Sequence, residues 1–105
     1  VFDNCAAVDL VLRQGVLGEI YNIGAGNEVT NLELTHTLLD LTGNDESRIS
    51  WVDDRLGHDR RYSIDTEKIK NLGWEPQILF SDGLTETVQW YKDNRSWWEP
   101  LKANP

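Results

Sequence analysis

Glycine residues divide this chain into short segments, and they limit it to short helices and strands. Gly15, Gly43 and Gly73 each follow a segment whose apolar residues recur at helical spacing. Glycine often ends a helix because it adopts a left-handed conformation without steric cost. No apolar run approaches the ~20 residues needed to span a bilayer. The 105 residues therefore predict one small domain, residues 1–105.

Four segments predict helices. The first begins after Asp3 or Asn4, either of which is a good N-terminal cap, and ends near Gly15. The second opens with Thr30 and Glu33, whose spacing is that of a capping box. The expected caps of the remaining two helices are Asp65 or Thr66, and Ser81.

The apolar stripe of the first helix predicts which of its faces is buried. The single cysteine of the chain lies on this stripe and has no partner for a disulfide within the chain. We interpret it as a small buried apolar residue rather than a reactive thiol. The stripe consists of Cys5, Val8, Val11 and Leu12.

Three segments predict extended structure. Residues 19–23 are rich in β-forming residues and lie between Gly18 and Gly24. Residues 48–53 alternate in the manner of a second strand, and residues 62–64 form a shorter extended segment. The predicted fold class is therefore α/β, a small mixed domain with short strands and about four helices.

The net charge of the chain excludes some partners. At −8 it is unsuited to nucleic acid, whose phosphates require a basic surface. The N-terminus has no signal-like segment, and we expect no membrane association. A cytoplasmic location is the default expectation.

Few side chains could perform catalysis. Cys5 with His36 or His58 is a poor nucleophile and base pair, because Cys5 lies on the expected core stripe. Asp53 and Asp54 are adjacent, so on a strand they would point to opposite faces. No cluster of histidine and cysteine has metal-ligand spacing. The sequence therefore predicts no catalytic residue and no metal site in this chain.

The pair Gly24 and Gly26 lies between a predicted strand and a predicted helix, where a dinucleotide-binding motif would lie. That motif needs a third glycine, but Val29 stands in its place. We therefore expect no cofactor-binding residue here.

An arginine-rich segment interrupts the acidic chain. Arg55, Arg60 and Arg61 lie close together in sequence with His58. A guanidinium group matches two phosphate oxygens with parallel hydrogen bonds, so arginine clusters suit diphosphates. A solvated loop whose arginines pair with some of the eighteen carboxylates explains the residues equally well.

The five tryptophans could bind sugars, which would suit a stand-alone binding module. Most of them fall at helix ends or on the last helix, where aromatic residues usually pack a small core. We interpret four of them as core residues: Trp74, Trp90, Trp97 and Trp98.

Several motifs together carry a family resemblance. The most specific is Gly57-His58-Asp59-Arg60-Arg61-Tyr62, and the others are Tyr21-Asn22-Ile23-Gly24-Ala25-Gly26-Asn27-Glu28, Thr30-Asn31-Leu32-Glu33-Leu34 and Leu72-Gly73-Trp74-Glu75-Pro76. With these motifs the chain resembles dTDP-glucose 4,6-dehydratases, which are extended short-chain dehydrogenases. Leu56 departs from the pattern, because such proteins usually have proline there.

The resemblance implies that the chain is a C-terminal nucleotide-sugar-binding domain. An N-terminal Rossmann domain, absent from this chain, would bind NAD and carry the catalytic residues. Arg55 would clamp the diphosphate, and the choice between Arg60 and Arg61 as a second contact is open. The substrate-binding residues implied are Asn31, Arg55, His58, Arg61 and Tyr62.

The activity implied for the intact enzyme is conversion of dTDP-glucose to dTDP-4-keto-6-deoxyglucose and water. NAD would oxidise the sugar at C4, and the hydride would return to C6 after water is lost. The intact enzyme would be a homodimer, and this chain alone would be inactive. A nucleotide-sugar epimerase or decarboxylase is the alternative among enzymes.

Overall fold

Helices form the regular structure of residues 1–102, the part of the chain that this computed structural model describes. No helix within these residues is both long and apolar enough to cross a bilayer. The four predicted helices are confirmed as α1 to α4, and α5 is a further helix that was not predicted. The α-helices are α1 (Phe2–Gln14), α2 (Asn31–Thr42), α3 (Glu67–Lys70), α4 (Phe80–Asp93) and α5 (Arg95–Lys102), and a 3-10 turn covers Glu46–Arg48.

The chain forms two compact units. The first unit combines Val1–Glu28 with Asp53–Ile78, so that it holds α1, α3 and the arginine-rich segment. The second unit combines Val29–Val52 with the chain from Leu79 onward, and it holds α2, α4 and α5. The assignment of residues 1–105 to one nucleotide-sugar-binding domain stays a prediction.

The core of the first unit is small. Ala7 of α1 and Ile69 of α3 are fully buried, and Trp74 is 6% exposed. The indole N–H of Trp74 donates to the carbonyl oxygen of Asp3 at 3.1 Å, so the polar edge of the ring is satisfied. The partly buried residues packed against this core are Leu10, Val11, Tyr21 and Ile23.

The N-terminus of α1 differs from the prediction. Val1 is the cap residue and makes no side-chain capping bond, so the expectation of a cap at Asp3 or Asn4 is wrong. Asp3 lies in the first turn, where its carboxylate accepts hydrogen bonds from the backbone N–H groups of Gln77 (3.0 Å) and Ile78 (3.1 Å). Asp3 therefore connects α1 to Gln77 and Ile78, the last residues of the first unit, and does not cap its own helix.

The second unit begins with a helix whose two ends follow the prediction. Thr30 and Glu33 form the expected capping box, and Gly43 ends α2 in the left-handed conformation. Ser81 does not cap α4, because that helix begins at Phe80, two residues earlier than a Ser81 cap would place it, with Leu79 at the cap position.

Aromatic side chains pack together where α4 meets α5. The ring of Trp90 makes edge contacts with the rings of Tyr91 and Trp97, both at 5.2 Å between centroids. The indole N–H of Trp98 donates to the carbonyl oxygen of Tyr91 at 2.8 Å. The core interpretation is thus confirmed for Trp74, but Trp90 and Trp97 remain 43% and 61% exposed.

The predicted strands are absent from residues 1–102. A strand is defined by hydrogen bonds to a neighbouring strand, and the sequence pattern that favours extended backbone does not supply this neighbour. Residues 19–23, 49–53 and 62–64 have no assigned secondary structure. Within the described residues the units are therefore helical with irregular connections, and the strand part of the α/β prediction is wrong for this chain taken alone.

The buried face of α1 agrees with the predicted stripe only at Val11, which packs against the core. Cys5 is exposed, and so are Val8 and Leu12. The face that packs on the core carries Ala7, with Val11 beside it. The helix has apolar residues on more than one side, so their spacing alone could not identify the buried side.

Candidate functional site

The arginine loop, defined here as residues 53–62, contains one tight turn. The N–H of His58 donates to the carbonyl oxygen of Arg55 at 3.3 Å, which closes a four-residue turn. Gly57, its third residue, has φ of 73°, a conformation that favours glycine because it has no Cβ. This arrangement is typical of a type II turn. The turn holds the backbone on either side of Leu56 and Gly57 close together.

His58 is oriented by a carboxylate from the same loop. Its Nδ1 lies 2.7 Å from Oδ1 of Asp54, and the hydrogen bond lowers the pKa of the Asp54 carboxyl. Because a carboxylate can only accept, Nδ1 carries the proton in this pair. The Nε2 atom of the imidazole is then the one left for another molecule.

Arg61 is held by an ion pair within the first unit. Its guanidinium donates to Oε2 of Glu28 at 3.2 Å. The other oxygen of that carboxylate, Oε1, accepts a hydrogen bond from the hydroxyl of Ser63 at 2.6 Å. Glu28 therefore binds two residues at the C-terminal end of the arginine loop, Arg61 within the loop and Ser63 directly after it.

Arg55 and Arg60 are placed differently. Both are exposed, and in the described part of the chain neither has a carboxylate oxygen within 4 Å. Tyr62 is also exposed, with 74% of its surface accessible. Two guanidinium groups and one phenol ring of the loop are thus available to another molecule.

A glycine segment, residues 22–28, lies against residues 61–66. The side-chain amide of Asn22 donates to the carbonyl oxygen of Asp65 at 3.1 Å. A Cβ added to Gly24 would lie 3.2 Å from Cδ1 of Ile64, so the backbone approaches closely here. With Glu28 bound to Ser63, the contacts pair early residues of one segment with late residues of the other. The two segments are therefore antiparallel, and the glycine segment supports the end of the arginine loop.

Asn31 belongs to the second unit. It is exposed and is the first residue of α2, directly after the capping threonine Thr30. Of the five residues implied by the resemblance, four therefore lie together in the arginine loop: Arg55, His58, Arg61 and Tyr62. The role of Asn31, like that of the other four, stays a prediction.

Glu28 and Ser63 are the site residues that the sequence reasoning missed. Glu28 is the last residue of one motif that carried the resemblance and Ser63 directly follows another, but neither had a pattern of its own that indicated a role. The ion pair spans 33 positions in sequence, so only the folded chain reveals it.

The described residues contain no group of three or more histidine, cysteine, aspartate and glutamate side chains that could hold a metal ion. His36 lies 3.8 Å from Glu46 within the second unit, a weak surface contact. The arrangement in the loop can bind and orient an anion, and we assign no acid, base or nucleophile to it.

Comparison with known proteins gives consistent results. The sequence model of the GDP-mannose 4,6 dehydratase family matches residues 1–87. A dTDP-glucose 4,6-dehydratase from Streptomyces niveus is 54% identical over 104 residues, covering 98% of this chain and 31% of the relative. The low-salt glycan biosynthesis protein Agl12 of Haloferax volcanii is 55% identical over 91 residues, covering 87% of this chain and 29% of the relative.

The solved structures agree. A crystal structure of a dTDP-glucose 4,6-dehydratase from Streptomyces venezuelae with NAD bound superposes with a TM-score of 0.90 at 55% identity, over 95% of this chain and 31% of that one. A dTDP-glucose 4,6-dehydratase from Bacillus anthracis in complex with NAD gives a TM-score of 0.86 at 50% identity, over 95% of this chain and 32% of that one. The chain spans about 31% of the length of the curated relatives that it matches. Because the family's sequence model covers most of it, the chain belongs to the GDP-mannose 4,6-dehydratase family.

Proposed function

We propose that this chain is the C-terminal, nucleotide-sugar-binding part of a dTDP-glucose 4,6-dehydratase. Relatives of that name are 54% and 56% identical over nearly all of the chain. The proposed activity of the full-length protein is conversion of dTDP-glucose to dTDP-4-keto-6-deoxyglucose and water. Its proposed partners are its own N-terminal Rossmann domain and a second subunit, and its proposed location is the cytoplasm.

The observation that carries the proposal is the free guanidinium group of Arg55. The chain has eighteen carboxylates and a net charge of −8, yet none of those in the described residues reaches Arg55 within 4 Å. An exposed arginine beside a fixed turn is suited to bind an anion that arrives from outside the chain. A diphosphate fits the planar fork of donors, because two of its oxygens can accept parallel hydrogen bonds.

The neighbouring side chains suit the nucleoside end of such a ligand. His58 is fixed by Asp54, so its Nε2 can meet a ribose or base in a defined orientation. The exposed ring of Tyr62 can stack on a base or donate from its hydroxyl. We propose the same role of substrate contact for Asn31.

NAD is the proposed cofactor of the full-length protein, and this chain does not fit it. The glycine segment lacks the third glycine of a dinucleotide motif, and Gly24 approaches Ile64 instead of leaving space for a ligand. At the start of α2, the carboxylate of Glu33 already accepts from Thr30, where a pyrophosphate would need free donors. NAD supplies the hydride transfer when it is bound, and we propose that the Rossmann domain binds it.

The contribution of this chain to the reaction is positioning. A diphosphate held by Arg55 fixes the attached hexose at one distance and orientation. Binding energy from a part of the substrate that does not react can thereby orient the part that does. The loop acts on the substrate without exchanging a proton or an electron with it.

Replacement of Arg55 tests the proposal. In the full-length protein we expect Arg55→Ala to raise the KM for dTDP-glucose, at a cost of about 2–4 kcal/mol in diphosphate binding. Arg13→Ala is the matched control, because Arg13 is an exposed arginine of the same unit that pairs with Asp9 on α1. Steady-state kinetics of both variants test the proposal. An unchanged KM for Arg55→Ala would mean that the loop does not bind the diphosphate.

GDP-mannose is the second candidate substrate. The name of the matching family favours it, whereas the relatives at 50% identity or more include several named for dTDP-glucose. Turnover of both nucleotide sugars by the full-length protein distinguishes the two. We expect dTDP-glucose to have the higher kcat/KM.

A further inference from the structure

Glu28 is the carboxylate at which the glycine segment and the arginine loop meet. Its Oε2 accepts from the guanidinium of Arg61 at 3.2 Å, and its Oε1 accepts from the hydroxyl of Ser63 at 2.6 Å. Both oxygens are therefore engaged, and by residues two positions apart. This double contact restrains the carboxylate and the chain on both sides of Tyr62.

The ion pair with Glu28 also determines where the guanidinium of Arg61 points. Adjacent arginines in an extended segment tend to point to opposite faces. Arg61 points to Glu28, whereas the exposed guanidinium of Arg60 has no carboxylate partner within 4 Å among the described residues. Fixing one arginine of the pair thus leaves the other free for a ligand.

We propose that Glu28 is a positioning residue for the arginine loop, an inference that rests on the proposed function. By binding Arg61 and Ser63 it holds the loop in the conformation that presents Arg60, Tyr62 and the Arg55 turn to the nucleotide sugar. It acts through these residues and does not contact the substrate. Arg61 then belongs to the support of the site and Arg60 to its binding surface.

A purely electrostatic role of Glu28 would have the opposite consequence. A carboxylate near an anion-binding loop repels the anion, so its removal would improve binding if charge alone mattered. Positioning requires instead that its removal weakens binding, because a free loop must be ordered when substrate binds. The sign of the change in KM therefore separates the two roles.

The test is steady-state kinetics of variants of the full-length protein with dTDP-glucose. We expect Glu28→Ala to raise KM about fivefold, the effect of losing one well-placed surface ion pair, with kcat largely retained. Glu28→Gln keeps one oxygen that can accept from Arg61, and its amide N–H can donate to the hydroxyl oxygen of Ser63, so its KM stays near that of the wild type. If charge alone mattered, Glu28→Gln would instead behave like Glu28→Ala and lower KM.

Glu19→Ala is the matched control. Glu19 makes an ion pair with Lys68 in the same unit, over a similar separation in sequence and at similar exposure, but it does not contact the loop. We expect its KM to be unchanged. Equal rises in KM for Glu19→Ala and Glu28→Ala would mean general loosening of the unit and would overturn the proposal, as would an unchanged or lowered KM for Glu28→Ala.

If Glu28→Ala does not fold, a variant that keeps the carboxylate provides a second test. Ser63→Ala removes one of the two hydrogen bonds, and we expect a rise in KM of about twofold; no rise overturns the proposal. The Arg55→Ala experiment separates this inference from the function on which it rests. If Arg55→Ala raises KM and the Glu28 and Ser63 variants do not, only the positioning role is wrong, whereas no effect of Arg55→Ala removes the diphosphate-binding role proposed for the loop.

Discussion

Leu56 occupies a position where its side chain makes no contribution to the fold. It is fully exposed, and it is the second residue of the turn closed by His58 and Arg55. Proline is favoured at that position of a type II turn, because its ring fixes the backbone angle that the turn requires. Leucine restrains the backbone of this turn less than proline would, next to the arginine that we propose binds the diphosphate.

We predict that Leu56→Pro raises the free energy of unfolding by about 0.4–1 kcal/mol, because it restricts the unfolded chain. We also expect it to lower KM for the nucleotide sugar, since the turn is ordered before binding. The measurements are thermal denaturation and steady-state kinetics of the full-length protein.

A second turn in the same unit supplies the control. Leu17 is also fully exposed, the next residue Gly18 has φ of 83°, and the N–H of Glu19 donates to the carbonyl oxygen of Val16 at 3.1 Å. Leu17→Pro is expected to stabilise by a similar amount and to leave KM unchanged. If both variants altered KM equally, the effect would not come from the arginine loop.

The site residues show what a sequence can reveal at this scale. Arg55 and His58 could be singled out because a cluster of cations in an acidic chain is a local signal. Glu28 could not be, because its partners are distant in sequence and one carboxylate among eighteen carries no signal. Which of Arg60 and Arg61 is held within the unit likewise depends on a contact that no local pattern encodes.

Among the elements, α2 is the one whose start follows most directly from its sequence. The hydroxyl of Thr30 accepts from the N–H of Glu33, and the carboxylate of Glu33 accepts from the N–H of Thr30 at 2.7 Å. The backbone bond from Thr30, and secondly its hydroxyl, lower the pKa of Glu33. Two residues, three positions apart, contain all the information for this cap, so a sequence pattern predicts it.

We predict that Thr30→Ala destabilises the protein by about 1 kcal/mol through loss of the cap, whereas Thr30→Ser, which keeps the hydroxyl, changes it little. The pKa of Glu33 should rise in Thr30→Ala part of the way toward its ordinary value of 4.5, because the bond from the hydroxyl is lost while the backbone N–H of residue 30 still donates. A carboxyl titration followed by NMR measures this shift, and a pKa equal in the two variants would contradict it.

The pH dependence of this cap has a definite sign. The pKa of Glu33 is lower in the folded than in the unfolded chain, so its contribution to stability is complete above 4.5. That contribution is lost as the pH falls through the folded pKa. As the pH falls, protonation of Glu33 should therefore lower the stability of Thr30→Ala by less than it lowers that of the wild type.

Helix existence was easier to predict than helix faces or strands. The caps and glycines around α2 act within one turn, whereas the buried side of α1 is chosen by Ile69 and Trp74, more than 50 positions away. The extended segments 19–23 and 62–64 have the composition of strands, but pairing depends on a neighbour rather than on composition. These errors have one cause, because both the buried side of a helix and the pairing of a strand depend on residues that are distant in sequence.

At the scale of the whole molecule, the chain buries little of its apolar surface. A folded monomer of 12.1 kDa would expose about 6,000 Å², and this chain exposes 9226 Å². Exposed apolar side chains of α1 and the turn after it contribute to the difference: Phe2, Val8, Leu12, Val16, Leu17 and Ile20. Apolar patches of this kind usually mark surfaces that contact other protein.

The isolated chain should consequently be only marginally stable. Its buried hydrophobic residues are Ala7, Ile69 and Trp74 among those described, too few to offset the conformational entropy of a chain of this length. We expect calorimetry of residues 1–105 to show a broad transition below the roughly 45 °C at which ordinary domains begin to melt. A sharp, cooperative transition of a monomer at high temperature would contradict this prediction. In the full-length protein we propose that a Rossmann domain covers the exposed face of α1. That protein should melt cooperatively and at a higher temperature than residues 1–105. The difference between the two melting temperatures measures how much the contact with the Rossmann domain stabilises this chain.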